Sequence, residues 1–363
     1  MGEPVSARTG VGIVGCGAIS GQYLTTLAAS QDLELVAVAD LDPARAGAVA
    51  DAHPGVRALT VPELVAHDDV DVVLNLTIPA AHAEVAHRAV AHGKDVYLEK
   101  PLTATTAEAR DLLAAASARG VRVGCAPDTV LGTGIQTARR ALDEGLVGRP
   151  LSATATMMVP GHEHWHPDPD FYYAPGGGPL LDMGPYYLTS LVTLLGPVTS
   201  VTGTSSRSRA TRTIASGPRR GESVRVTTDT HVTGVLTHGS GALATVVLSF
   251  DAVATAASSI EIHGDTGSLI VPDPNRFAGD VRLFRLGGQA WETLEPSGGY
   301  RDAGRGCGLA DMARTPRTEE HRASGSLAYH VLDVMESLLE SARTGAAVTV
   351  TSTCARPVAV PLG

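Results

Sequence analysis

The chain has 363 residues, 44% hydrophobic and 18% charged, which allows two domains with a large buried core. Its formal net charge of −10 argues against nucleic acid as a partner, because phosphate binding needs clustered Lys and Arg. No apolar run of 18 residues and no basic segment leading into an apolar one is present, so neither a membrane span nor a secretory leader is expected.

In chain order, the first 127 residues alternate short apolar runs with amphipathic stretches. Strands are expected at 11–15, 33–40, 71–78, 95–100 and 121–126. Helices are expected at 18–29, after Pro43, at 80–92 and at 105–119, with a weaker unit at 56–67. Near-continuous apolar strands separated by helices predict a doubly wound parallel sheet of Rossmann type over 1–127. From residue 128 the texture changes. A helix at 132–144 precedes strands at 151–159, 196–205, 229–238, 242–250, 258–264, 267–271 and 280–286, with helices at 180–195 and 324–343. Residues 128–363 are therefore expected to form an α+β domain on an open, mostly antiparallel sheet. Its uncovered face would serve a homo-oligomer, a dimer or tetramer. The polar stretch 205–223 reads as a mobile loop.

Four scattered cysteines without a CxxC pair suit a reducing cytoplasm and speak against a zinc ribbon or a disulfide framework. Gly2 and Ser6 fit a loose myristoylation pattern that Glu3 and Pro4 spoil. Asn75-Leu76-Thr77 is formally a glycosylation sequon, but it lies inside an apolar strand. Neither is expected to be used.

"VGIVGCGAISGQYL" places Gly15 and Gly17 between a strand and a helix, with Ala18 and Ile19 completing the turn and Ser20 in the third small position. Gly15 permits the tight turn, and Gly17 lets the backbone approach a pyrophosphate at the helix N-terminus. Asp40 closes the second strand at the spacing that suits the adenosine ribose hydroxyls. Leu41 and Asp42 follow it and offer no cation for a 2′-phosphate, so NAD is expected rather than NADP.

Two further segments are more specific. "TIPAAHAEVAHRAVAHGKDVYLEKPL" ends at Glu99-Lys100-Pro101, and "GGGPLLDMGPYYLTSL" carries Gly176–Gly178, Asp182 and Gly184. With the glycine turn and the closing segment "LAYHVLDVMESLLESARTG", they make the whole chain resemble the Gfo/Idh/MocA family of glucose–fructose oxidoreductases and inositol dehydrogenases. The resemblance implies an NAD(P)-dependent oxidoreductase acting on a CH–OH group of a sugar or cyclic polyol. It implies that Lys100 lies beside the nicotinamide, that Thr77, Pro79 and His82 line the cofactor, and that Glu99 lies near its carboxamide or ribose. Asp182 would hold the substrate hydroxyl or tune the lysine. The family often has His four residues after that Asp, where this chain has Tyr186. A phenol with a reference pKa of about 10 is a poor base at neutral pH, so the acid/base role moves toward Lys100 and Tyr186 becomes a relay or donor.

"GHEHWHPDPD" contains the zinc-peptidase string His162-Glu163-x-x-His166. Pro160 and Gly161 before it and Pro167 and Pro169 after it remove the helix such a site needs. No metal is therefore expected. An extended chain would send His162, His164 and His166 to one side, with Glu163 and Trp165 to the other. Trp165, Tyr172 and Tyr173 would offer flat faces to a sugar ring, and the imidazoles would bind hydroxyls. Asp128 at a strand end and Arg305 in a glycine-rich loop are further substrate or cofactor candidates, whereas His330 suits core packing. Two alternatives to a dehydrogenase stay open: a redox-neutral epimerase holding NAD tightly, and a catalytically silent cofactor-binding regulator.

Overall fold

Apolar runs too short for helices, flanked by Pro- and Thr-initiated amphipathic stretches, fold as a βαβ succession in the computed structural model, which describes residues 8–363. The Gly2–Ser6 pattern lies outside the described residues. The elements are β1 (Thr9–Val14), α1 (Ser20–Ala29), β2 (Leu33–Ala39), α2 (Pro43–Ala52), β3 (Arg57–Ala58), α3 (Val61–Ala66), β4 (Val72–Asn75), α4 (Pro79–Ala91), β5 (Asp95–Leu98), α5 (Thr106–Arg119) and β6 (Val123–Cys125). Local chemistry sets several helix starts. Thr60 with Glu63 and Thr105 with Glu108 form capping boxes on α3 and α5, and Pro79 opens α4.

The six strands make one parallel sheet in the order β3-β2-β1-β4-β5-β6. Every residue of β4 and β5 is buried, as strands covered on both faces require. Each large apolar side chain removed from water there contributes about 1.5–3 kcal/mol. The strand order reverses between β1 and β4, so the crevice at their carboxyl ends is where ligands of such sheets bind.

The chain continues with α6 (Thr133–Asp143), β7 (Pro150–Met158), α7 (Pro179–Leu195), β8 (Val198–Ser206), β9 (Thr211–Thr213), β10 (Ser223–Arg225), β11 (His231–His238), β12 (Leu243–Ser249), β13 (Ile260–Gly264), β14 (Gly267–Val271), β15 (Val281–Arg285), β16 (Glu292–Leu294), α8 (Cys307–Arg314), α9 (Gly325–Thr344) and β17 (Val348–Thr349). Nine of these strands form a second sheet, β16-β15-β14-β13-β7-β12-β11-β8-β17, in which β7 and β12 run parallel and the other neighbours antiparallel. α7 packs on β7, β11 and β12, and α6 on β14 and β15. Along β11, buried Val232 and Leu236 alternate with outward Thr233, Val235 and Thr237. Leu151, Val235 and Leu243 are exposed on the strands β7, β11 and β12.

Two expectations change. The chain divides into a first unit running to Asp128 that also takes Asp302–Tyr329, and a second of Thr129–Arg301 with His330–Gly363. A single cut at 127/128 therefore misplaces α8, whose Gly308 lies against the Tyr97 ring of β5. The polar stretch 205–223 is not merely a loop: β9 and β10 pair in it as an antiparallel ribbon.

Candidate functional site

In the first unit the glycine turn grows directly out of β1. Gly15 has φ +103°, and a Cβ there would lie 2.8 Å from the Leu76 carbonyl at the end of β4. Only glycine combines that conformation with that approach. Nothing would crowd a Cβ at Gly17, so the turn opens outward there. Ser20 folds back, its hydroxyl donating to the Gly17 carbonyl at 2.7 Å. The α1 N-cap, Ile19, has no side chain that caps the helix, and its first turn has no acid. Its leading amides thus suit an anion. Asp40 is pinned to this turn: one oxygen accepts from the Cys16 amide at 2.7 Å and the other from the Asp42 amide at 2.9 Å. Capping α2 falls to Asp42 instead. A cradle that only glycine permits, an uncapped helix start and an anchored carboxylate fit a dinucleotide.

Lys100 is half-buried in the turn after β5, and Thr77 is half-buried beyond β4, with Pro79 exposed at the first turn of α4. Thr77 donates from both its amide and its hydroxyl to the Asn75 side-chain oxygen, at 3.2 and 2.6 Å. Asn75 is wholly buried, which removes the sequon from use.

Three residues expected to face ligand, His82 on α4 and Glu99 and Asp128 beyond strand ends, are turned inward. His82 is fully buried and bridges the carbonyls of Pro101 (2.7 Å) and Thr77 (3.0 Å), tying together the turns after β4 and β5. Burial holds its pKa below the usual imidazole range, with those carbonyls pulling the other way. Glu99 accepts from the Tyr23 hydroxyl at 2.8 Å and from the Lys100 amide at 2.9 Å, so it props the lysine turn rather than lying open to the cofactor. Asp128 is fully buried, and one of its oxygens accepts the Gly306 and Gly308 amides at 2.7 and 3.1 Å. Burial raises its pKa to about 6, against the Gly308 and Gly306 bonds and the nearby Arg305 charge. Its task is to hold the returning α8 segment.

In the second unit the site is made by the segment between β7 and α7. His162–His164 is a single 3₁₀ turn, not an extended strand. The expected row of three imidazoles is therefore broken: His162 and Glu163 are buried, while His164 and Trp165 are exposed. His162 Nε2 lies 2.9 Å from Asp182 Oδ2 in the first turn of α7, with Tyr186 buried one turn further on. A Cβ at Gly178, where φ is +88°, would meet the Asp229 carbonyl at 2.8 Å, so the glycine run lets α7 start tightly. Tyr172 stacks on Phe171 with ring centres 3.9 Å apart, and Trp165 and Phe171 are 59% and 57% exposed.

Glu163, the base of the zinc-peptidase string, is committed elsewhere. It accepts from Arg212 Nη1 at 2.8 Å and from the Tyr173 hydroxyl. Arg212 lies on β9, is almost completely buried, and also pairs with Asp251, which accepts from Thr230 at 2.6 Å. Burial, then the Glu163 bond, pushes the Tyr173 phenol up. Sequence reasoning missed Arg212, Asp251 and Phe250. The available signal was Glu163 itself: an acid in an aromatic loop calls for a cation, and the basic stretch 207–225 was the nearest supply. His330 is a core residue, with Nε2 accepting from the Val198 amide at 2.9 Å.

Residues 9–126 match the oxidoreductase family with an NAD-binding Rossmann fold, and residues 135–270 match the GFO/IDH/MocA C-terminal domain. The chain is 32% identical over 218 residues to the dTDP-3,4-didehydro-2,6-dideoxy-alpha-D-glucose 3-reductase of Streptomyces antibioticus, covering 58% of this chain and 63% of that one. It is 27% identical over 303 residues to the 1,5-anhydro-D-fructose reductase of Ensifer adhaerens, covering 80% and 85%. Levoglucosan dehydrogenase in complex with NADH shares the fold at a TM-score of 0.81 and 20% identity, over 95% of this chain and all of that one. With both units matched in their proper order, the chain belongs to the Gfo/Idh/MocA oxidoreductases, its first unit being their NAD-binding Rossmann domain.

Proposed function

We propose that the chain transfers hydride between the nicotinamide of NAD and a secondary alcohol or ketone of a sugar, glycoside or cyclic polyol, with Lys100 as the acid/base. The observation that carries this reading is a dinucleotide turn and a lysine placed beyond the carboxyl ends of one parallel sheet, as ligands of such sheets require. When bound, NAD supplies the hydride acceptor or donor. The residues 15–19 hold its pyrophosphate, Asp40 its ribose hydroxyls, and Thr77 and Pro79 line it. Lys100 takes the hydroxyl proton during oxidation and returns it during reduction. Asp182 and Tyr186, one helical turn apart, hold the reacting hydroxyl. Trp165 and Tyr172 offer faces to the ring, and His164 and His166 reach its other hydroxyls. Arg305 serves the site through Asp128.

The sugar reductases among its relatives support the substrate class. Asp40, followed by Leu41 and Asp42, favours NAD over NADP. The outward face of the nine-stranded sheet is the surface through which copies assemble as a dimer or tetramer. Free thiols at Cys16, Cys125 and Cys307 suit the cytoplasm, and no described helix is long and apolar enough to cross a membrane.

The test is an NAD⁺-reduction screen over monosaccharides, glycosides and inositols, repeated with NADP⁺. Net NADH release with NAD⁺ preferred is the expected result. Equal or better rates with NADP⁺ overturn the Asp40 assignment. Interconversion of sugar isomers without net NADH points to the epimerase, and NADH binding without either points to a silent regulator.

A further inference from the structure

Asp182 and His162 come from different elements of the second unit and meet at 2.9 Å through Oδ2 and Nε2. An ionised carboxylate only accepts, so this contact places a hydrogen on Nε2 and selects the imidazole tautomer. The ring is held on every side that the fold supplies. It stands edge-on to Tyr172 at 4.2 Å and Trp165 at 5.2 Å, and packs on Phe250 at 4.4 Å. The His162 amide donates to the Tyr173 hydroxyl at 3.0 Å. Arg212 grips the Pro160 carbonyl at 3.0 Å and the Glu163 carboxylate at 2.8 Å, on either side of it in sequence. Nδ1 is buried without a hydrogen-bond partner. Leaving a buried polar atom unpaired costs about 1–3 kcal/mol, which a side chain kept only to fill an aromatic pocket would not incur.

Resting on the hydride-transfer reading above, we infer that His162 is the positioning residue for Asp182. It fixes the rotamer of the carboxylate and donates to its charged form, so that Asp182 meets the substrate hydroxyl in one geometry. An imidazole delivered by the segment after β7, and not by α7 itself, thus orients the acid of α7. The ribbon β9–β10 sets that imidazole in place through Arg212.

Two substitutions separate this role from packing. His162→Gln keeps an amide N–H near the Nε2 position, whereas the amide of His162→Asn is one carbon too short to reach Asp182. On the best sugar or polyol substrate, His162→Asn lowers kcat about 100-fold with KM changed less than about threefold, and His162→Gln recovers kcat to within about tenfold of wild type. NADH binding, followed by fluorescence, stays as in wild type for both. Independently of turnover, ¹H–¹⁵N NMR of the histidine-labelled full chain shows His162 protonated on Nε2, and Asp182→Asn shifts both of its ring nitrogens. Equal kcat in the Gln and Asn variants, or His162 nitrogens indifferent to Asp182→Asn, overturns the assignment. A wild-type chain that turns over no panel compound with either cofactor overturns the hydride-transfer reading instead, and the NMR arm still decides the pair.

Discussion

At the end of β1 the groups offered to a ligand are peptide amides, placed by a strand, one glycine at φ +103° and a helix start, all close in sequence. The segment after β7 offers side chains, and their positions depend on residues far away: Asp182 on α7, Arg212 on β9 and Asp251 beyond β12. The first arrangement is inexpensive to specify and hard to vary. The second needs several distant side chains to agree, and it can change its ligand without disturbing the sheet. On the proposed reading, one chain thus holds a general cofactor by backbone and addresses a particular substrate by side chains.

Four substitutions break or sharpen this contrast, beginning with the largest effect. Lys100→Met is expected to reduce kcat/KM by about 10³-fold or more while NADH binding survives, because it removes the proposed proton-transfer group and leaves the turn intact. Steady-state kinetics beside fluorescence titration check this. Arg212→Met leaves the buried carboxylate of Glu163 and the part-buried one of Asp251 without their cation and should lower unfolding stability by about 3–5 kcal/mol, read by denaturant melts. If the loss is no greater than for an exposed arginine such as Arg343, the second region is not clamped as described.

Gly15→Ala attacks the backbone region. Positive φ and the Leu76 carbonyl together should cost about 1–3 kcal/mol and weaken NADH binding at least about tenfold, with the sugar binding proposed for the second unit unaffected. Calorimetric titration with each ligand tests that division.

The smallest effect concerns Asp128, a buried side chain in the first unit. Burial raises its pKa from 3.8 to about 6, so the folded chain holds this proton more tightly than the unfolded one. Its contribution to stability is therefore complete below about pH 4 and is lost as pH rises through about 6. Asp128→Asn keeps an oxygen for the Gly306 and Gly308 amides. It should flatten this part of the stability profile and raise stability at pH 7.5 by on the order of 1 kcal/mol. A variant whose profile retains the wild-type slope between pH 4 and 6 would remove Asp128 as its origin.

What was legible in the sequence followed range of interaction. Strands and helices of both sheets, the glycine turn and the placement of Lys100 rest on periodicity and local turn chemistry, and their outlines are present. The prolines around His162–His166 rightly denied a long helix, yet an extended row was not the result, because Glu163 is drawn inward by Arg212 and turns the chain at the same point. Arg212 was hidden in a stretch that looks solvated by composition; its burial exists only through partners some 39–49 positions away. Glu99 and Asp128 beyond strand ends, and His82 on the helix that follows β4, share one difficulty. A strand end near a ligand crevice holds both the groups that face the ligand and those that support the turns, and residue type does not separate them. The return of 302–329 to the first unit has no local signal at all.

That return has a consequence for synthesis. The Rossmann half lacks α8, and with it the two amides that donate to one oxygen of Asp128 and the glycine that lies against Tyr97, until residue 329 has left the ribosome. Most of the second unit has been made by then, so an N-terminal domain that usually folds first during translation must wait here for its last piece. A fragment ended at residue 128 would accordingly expose a buried tyrosine and an unsatisfied carboxylate, and a useful nucleotide-binding fragment has to be assembled from two stretches of the gene.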